Sequence, residues 1–299
     1  LTLVLKDVTK RFGQHTAVDH LSLEIPEKEM FGFLGGNGAG KTTTFRMILG
    51  LLDITEGDIS WNGDTISYNK SHLIGYLPEE RGLYPKLKVR DQLIYLGKLR
   101  GMTKTEVETE LVGWLERFKV PEYIDKKVEE LSKGNQQKIQ FISAVIHKPK
   151  LLILDEPFSG LDPINVEMLK EAVVDLKEQG TSIVFSSHRM EHVEELCEHV
   201  CILHKGNQVV QGSLREIKRS FGKKNLIVHA DIPLDFLKDQ PGVIMYKALT
   251  EGCELQIENE EVSQAIFAAL QGKGFIRKFD LEEPSLNDIF IEKVGASYE

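Results

Sequence analysis

Apolar residues fall into two rhythms along this chain. Short unbroken runs, Met30 to Leu34 (MFGFL), Leu151 to Leu154 (LLIL) and the middle of Thr181 to Ser187 (TSIVFSS), end at glycine, carboxylate or hydroxyl residues. Runs of that length without alternation predict strands covered on both faces. Elsewhere the spacing is helical. Ile139, Ile142 and Ile146 follow Ser132, a residue suited to N-capping, and Asp162 and Pro163 stand as N-cap and N1 of a helix over 163–179. A helical pattern starts near Lys41, two charged ones cover 90–100 and 104–118, and RMEHVEELCEHVCIL reads as an amphipathic helix running into a strand. Residues 1–34 alternate short strands and turns. Together these predict an α/β fold with a mostly parallel core.

After roughly residue 220 the pattern changes. LIVHA, PLDFLKDQ, VIMYKALT, CELQIE, EEVSQAIFAALQ and FIRKFDLE follow one another in the order β-α-β-β-α-β, a small ferredoxin-like α+β module, with a last helix over 284–294. The expected domains are 1–218 and 219–299. The second offers no catalytic constellation and reads as a packing or dimer-stabilising accessory, with a regulatory sensor as the alternative.

Chemistry concentrates where strands of the first domain end. Gly35 to Thr42 reads GGNGAGKT, directly after MFGFL and before the helical pattern at Lys41. That context fits a P-loop, in which Gly35, Gly38 and Gly40 let the backbone turn sharply and aim successive N–H groups at phosphate oxygens. Lys41 can reach the β and γ phosphates, Thr42 can offer its hydroxyl to Mg²⁺, and Thr43 adds a hydroxyl beside it. LLILDEP ends a buried strand on adjacent carboxylates, the Walker B pattern. Successive side chains diverge there, so Asp155 can serve the metal while Glu156 faces the water that attacks the γ phosphate.

In this order the motifs resemble the nucleotide-binding subunits of ABC transporters, over residues 1 to about 218. Leu131 to Asn135 (LSKGN) is similar to the family's LSGGQ signature, and Ser159 to Asp162 (SGLD) resembles its D-loop. His188, after TSIVFSS, resembles the switch histidine that contacts the γ phosphate, and Phe12 in KRFG resembles the aromatic residue that stacks on adenine. The resemblance implies a P-loop ABC ATPase domain with a helical subdomain over about 84–150, and ATP and Mg²⁺ as cofactors. Nucleotide contacts would come from Phe12, Gly35, Asn37, Gly38, Ala39, Gly40, Lys41, Thr42 and Thr43. Glu156, His188, Lys41 and Glu79 would carry catalysis, and Thr42, Asp155 and Glu79 the metal. Asp162 of the D-loop would add a nucleotide contact, and Ser132 with Gly134 would complete the site of a second copy, in a head-to-tail homodimer that sandwiches two ATP.

Two positions depart from the family pattern. Glu79 in IGYLPEE stands where the family has glutamine, so an amide donor has become an anion that can still serve a metal or its waters. Lys133 and Asn135 replace glycine and glutamine in the signature, and Lys133 either adds a cation near the opposing γ phosphate or projects into solvent. The tail PSLNDIFIEKV resembles ATP-binding subunits of ABC-2-type exporters, especially sodium-exporter-like and multidrug-exporter-like members. That implies a separate ABC-2-type membrane permease and a place at the cytoplasmic face of the membrane. It puts sodium first as cargo and a drug or peptide second, with a non-transport regulatory ABC ATPase as the competing class. Leu83, Tyr84 and Leu87 either receive a coupling helix of the permease or pack within the subdomain.

Composition narrows the partners. The chain has 299 residues, is 41% hydrophobic and carries a formal net charge of −9, which opposes nucleic acid as a main partner. No signal sequence opens the chain, and no apolar run approaches the roughly 18 residues of a membrane span. Three cysteines suit a reducing compartment. His188, His192, Cys197 and Cys201 lack the paired CxxC spacing of a zinc site, and Cys201 reads as core.

Overall fold

The MFGFL run lies inside a six-stranded sheet, with all of its residues buried. The computed structural model describes residues 2–66, 68–80 and 82–295. Two compact units divide between Gln211 and Gly212. Up to that boundary the chain forms β1 (Leu3–Phe12), β2 (His15–Ile25), β3 (Met30–Leu34), α1 (Lys41–Ile48), β4 (Glu56–Trp61), β5 (Asp64–Thr65), β6 (Ile74–Leu77), α2 (Val89–Leu99), α3 (Lys104–Arg117), α4 (Lys133–Val145), β7 (Leu151–Asp155), α5 (Pro163–Glu178), β8 (Ser182–Ser187), α6 (Met190–Leu196), β9 (His199–His204) and β10 (Asn207–Ser213).

The large sheet has the order β10-β9-β3-β8-β7-β6, and β9, β3, β8, β7 and β6 run parallel. Their register sets Leu34 beside Ser187 and Asp155 beside Ser186. The carboxyl ends of β3, β7 and β8 therefore open side by side, where an open α/β sheet has its ligand crevice. The P-loop, the two carboxylates and His188 follow those three ends.

An antiparallel sheet of order β2-β1-β4-β5 belongs to the same unit. Its apolar face supplies Leu3, Leu5, Leu23 and Trp61 to one core with Phe31 and Phe33 of β3 and Phe45 of α1. Phe33 meets Phe45 edge-on at 5.3 Å between ring centroids, which anchors the P-loop helix to the strand before it. The helical subdomain has its own centre, where Trp114, Phe118 and Phe141 lie 5.7 to 5.9 Å apart.

The second unit contains α7 (Leu214–Ser220), β11 (Lys224–Ala230), β12 (Val243–Leu249), β13 (Gly252–Ile257), α8 (Glu260–Leu270), β14 (Ile276–Glu282) and α9 (Leu286–Gly295). Its sheet has the order β12-β13-β11-β14 with antiparallel neighbours, the ferredoxin-like arrangement expected from the pattern. Leu226, Val228, Cys253, Leu255, Ile257, Ile266 and Leu270 form its core. One element differs from expectation. PLDFLKDQ forms only a 3₁₀ turn, Asp235–Asp239, because Pro233 and Pro241 close in on a segment too short to propagate an α-helix. Among the described residues no helix is long and apolar enough to cross a membrane.

Candidate active site

Backbone geometry makes the phosphate loop a glycine structure. Gly40, the N-cap of α1, has φ +107°, and a Cβ there would lie 2.7 Å from the carbonyl oxygen of Ala17. At Gly35, with φ +150°, a Cβ would stand 2.4 Å from the oxygen of Leu203. No L side chain fits either position without moving backbone. Lys41 is 7% exposed, and its ammonium donates to Gly35 O at 2.6 Å and Gly36 O at 3.3 Å. Glu156 Oε1 lies 3.6 Å from the same nitrogen.

Asp155 and Glu156 leave β7 on different errands. Asp155 Oδ2 accepts from the Thr42 hydroxyl at 2.7 Å, and Oδ1 accepts from the Ser186 hydroxyl at 2.5 Å. Ser186 Oγ in turn accepts the Glu156 N–H at 3.0 Å. Glu156 has φ +50°, a left-handed conformation that turns its side chain away from that of Asp155. Its Oε2 is 2.8 Å from His188 Nδ1, so a buried carboxylate lies between the Lys41 ammonium and a half-exposed imidazole. Gln137 donates to Pro157 O at 3.2 Å and fixes the turn that follows.

A cleft of about 410 Å³ opens over these groups. Phe12, residues 36–43, Glu79, Asp155 and Glu156 line it, so Phe12, Asn37, Gly38, Ala39, Gly40, Lys41, Thr42 and Thr43 converge as the sequence suggested. Gly35 lies behind the loop and contributes its carbonyl to Lys41. His188 joins through Glu156. Glu79 is exposed, with its neighbours gripped from below: the Gln140 amide donates to Pro78 O at 3.2 Å and Glu80 O at 3.1 Å.

Ser132, Gly134 and Asp162 are not among the residues lining this cleft. Ser132 caps α4, accepting the Asn135 N–H at 3.4 Å, and Lys133 beside it is exposed. The Asn135 amide donates to Tyr123 Oη at 2.9 Å. A Cβ on Gly134 would come within 3.3 Å of Asn165 Nδ2, so this glycine also lets α4 pass the start of α5. Asp162 caps α5, taking the Asn165 N–H at 3.0 Å and its side-chain amide at 2.5 Å, and these bonds hold its carboxyl below the usual range.

The oxygen donors of Thr42 and Asp155 suit a hard divalent cation. No three His, Cys, Asp or Glu side chains among the described residues gather closely enough to hold a metal by themselves. A partial shell of this kind fits Mg²⁺, which keeps waters and phosphate oxygens among its ligands. The His188, His192, Cys197 and Cys201 group is structural apart from His188. The His192 ring meets Phe158 at 4.9 Å, Cys197 and Cys201 are buried, and burial pushes the Cys201 thiol up to about 12.

Three contributors carried no signal strong enough to find from sequence. Ser186 is an ordinary strand hydroxyl until β7 and β8 pair in register. His15 enters the cleft only because the β1–β2 hairpin returns it beside Phe12. Gln140 lies on the apolar side of α4 and reads as an interruption of its pattern.

Comparison with known proteins agrees with this geometry. Residues 18–159 match the ABC transporter family, and residues 212–294 match the C-terminal domain of DrrA1-3-like ATP-binding proteins. The uncharacterized ABC transporter ATP-binding protein YhaQ of Bacillus subtilis is 70% identical over 99% of this chain and 100% of its own length. The chain belongs to the ABC transporter ATP-binding proteins. Such subunits are ATPases that serve a separate membrane permease. A solved ATP binding subunit of an ABC transporter shares the fold with a TM-score of 0.70 and 31% identity, covering 74% of this chain and 94% of that one. Relatives with individual names are more distant. The bacitracin transport ATP-binding protein BcrA of Bacillus licheniformis is 32% identical over 97% of this chain and 96% of its own. The ABC transporter ATP-binding protein NatA of Bacillus subtilis is 35% identical over 75% and 94%.

Proposed function

We propose that this ABC ATPase is the motor of an ABC-2-type exporter and acts at the cytoplasmic face of the membrane as a homodimer closed head to tail around two MgATP. One observation carries the dimer: Ser132, Gly134 and Asp162 lie outside the cleft formed by the P-loop and the carboxylates of their own chain. Ser132 at the N-terminus of α4 suits the phosphates of a nucleotide held by a second copy. Two copies then complete two sites.

Within each site Glu156 Oε2 orients water for attack on the γ phosphate and takes up its proton as the bond to phosphorus forms. His188 holds that carboxylate in place through Nδ1 and, as the switch histidine, helps steady the γ phosphate. Lys41 balances the charge that builds on the γ oxygens. Thr42 and Asp155, with Glu79 as a further carboxylate, would hold Mg²⁺, which neutralises phosphate charge when bound. Phe12 stacks on the base. Tyr84 and Leu87, 57% and 42% exposed, form an apolar seat for a segment of the permease.

Cargo is the finest part of the reading. Resemblance puts sodium first and a drug or peptide second. Identities of 32% to BcrA and 35% to NatA lie too close together to choose between them. Reconstitution of the chain with its permease in liposomes, with radiolabelled sodium inside or outside, tests the assignment against a Glu156→Gln control. ATP-dependent sodium movement that the control lacks supports sodium export. Turnover without sodium movement removes sodium and leaves a drug, a peptide or a non-transport role. For the dimer, Glu156→Gln with MgATP should double in mass by light scattering. A monomer at every concentration would sink the sandwich.

A further inference from the structure

Stacking alone does not choose between bases, because each of them has a π-face that a phenyl ring can cover. Phe12 is 49% exposed and offers only such a face, with the Lys10 ammonium 5.1 Å from its centroid. The P-loop reads phosphates. Selection of the base therefore needs a hydrogen-bonding group at the Phe12 side of the cleft, and His15 supplies one.

The β1–β2 hairpin ends on Phe12 and His15 as its last opposed pair, joined through Gly13 at φ +59° and Gln14. Directly opposed residues of an antiparallel pair project from the same face with Cβ atoms about 5 Å apart. Both line the P-loop cleft. The imidazole is exposed, and among the described residues it holds no hydrogen bond or ion pair, so its donor and acceptor nitrogens face the ligand space. We propose that His15 contacts the base of the bound nucleotide and sets which nucleoside triphosphates this ATPase prefers. The inference rests on the reading of Phe12 as the base platform.

The test measures affinities of the full chain in EDTA, by calorimetry, for ATP, GTP, CTP and inorganic tripolyphosphate. His15→Ala should weaken ATP by about fivefold, the size of one hydrogen bond, and flatten the preference among the three nucleotides. Tripolyphosphate, which lacks a base, should keep its affinity and so report an intact P-loop. His15→Gln, which keeps a donor and an acceptor, should retain part of the preference. Unchanged ATP affinity in His15→Ala, equal loss for all four probes, or a wild-type chain with no preference overturns the role of His15. Phe12→Ala separates the two layers: if it leaves ATP affinity unchanged, the base platform itself is wrong, whereas a loss there with none in His15→Ala overturns only the histidine.

Discussion

His188 Nδ1 lies 2.8 Å from Glu156 Oε2, so the imidazole that follows β8 is bonded to the carboxylate that follows β7. Glu156 is nearly enclosed and His188 is half open, which leaves the ring as the movable partner. His188→Ala should lower kcat by about 100-fold or more, the usual loss for a group that positions a general base, and change the KM for ATP by less than about threefold. Steady-state phosphate release measures both. A kcat within threefold of wild type would show that Glu156 works without the histidine.

Ser186 joins both carboxylates through one hydroxyl. Ser186→Ala leaves the buried Glu156 N–H without an acceptor and removes a donor from Asp155, so stability should fall by about 1–3 kcal/mol. The shift of the urea midpoint reads this. A midpoint equal to that of wild type would mean that water or a backbone shift replaces the hydroxyl.

Gly40→Ala meets two obstacles at once, a φ of +107° and the Ala17 oxygen 2.7 Å from the new methyl group. Strain of this kind costs on the order of 1–3 kcal/mol, and the loop relieves it by leaving its phosphate-binding shape. ATP affinity should drop by at least about tenfold. Titration with a fluorescent ATP analogue checks this, and an affinity near wild type would refute the steric argument.

His147 gives the chain an acid-sensitive stability. Burial pushes its imidazole down to about 4, the Arg100 charge adds to the shift, and Nδ1 is buried without a hydrogen-bond partner. The unfolded imidazole titrates near 6.5. Its contribution is thus complete above about pH 6.5 and is lost progressively as pH falls toward 4, because the unfolded chain accepts a proton that the folded chain refuses. At pH 5 the loss is about 2 kcal/mol relative to neutral pH. In His147→Phe that part of the pH dependence should vanish. Urea midpoints of both proteins at pH 7 and pH 5 decide it: equal declines would sink the assignment.

Much of the fold was legible because burial leaves a direct mark on sequence. LLIL and IVF are apolar on both faces because both faces of their strands are buried, one of them in the core shared with the antiparallel sheet, and Asp162 with Pro163 announces α5 through the chemistry of its first turn. The P-loop and the DE pair were legible because each is a run of a few consecutive residues, and the structure brings both runs to one cleft. Ser186 and His15 owe their roles to strand register, a relation between distant segments that leaves no local trace. PLDFLKDQ misled in the opposite sense: its apolar spacing is helical, but the prolines at either end decided the outcome.

Gln140 gives α4 a second duty. The helix begins at Ser132, and about 12 Å farther along its axis Gln140 holds the carbonyls on either side of Glu79. A hydrogen-bonded rod of this length transmits displacement with little compression, so the two points move as parts of one lever. A displacement of α4 at its Ser132 end is therefore expected to reach the Pro78 and Glu80 carbonyls, on either side of Glu79 at the cleft.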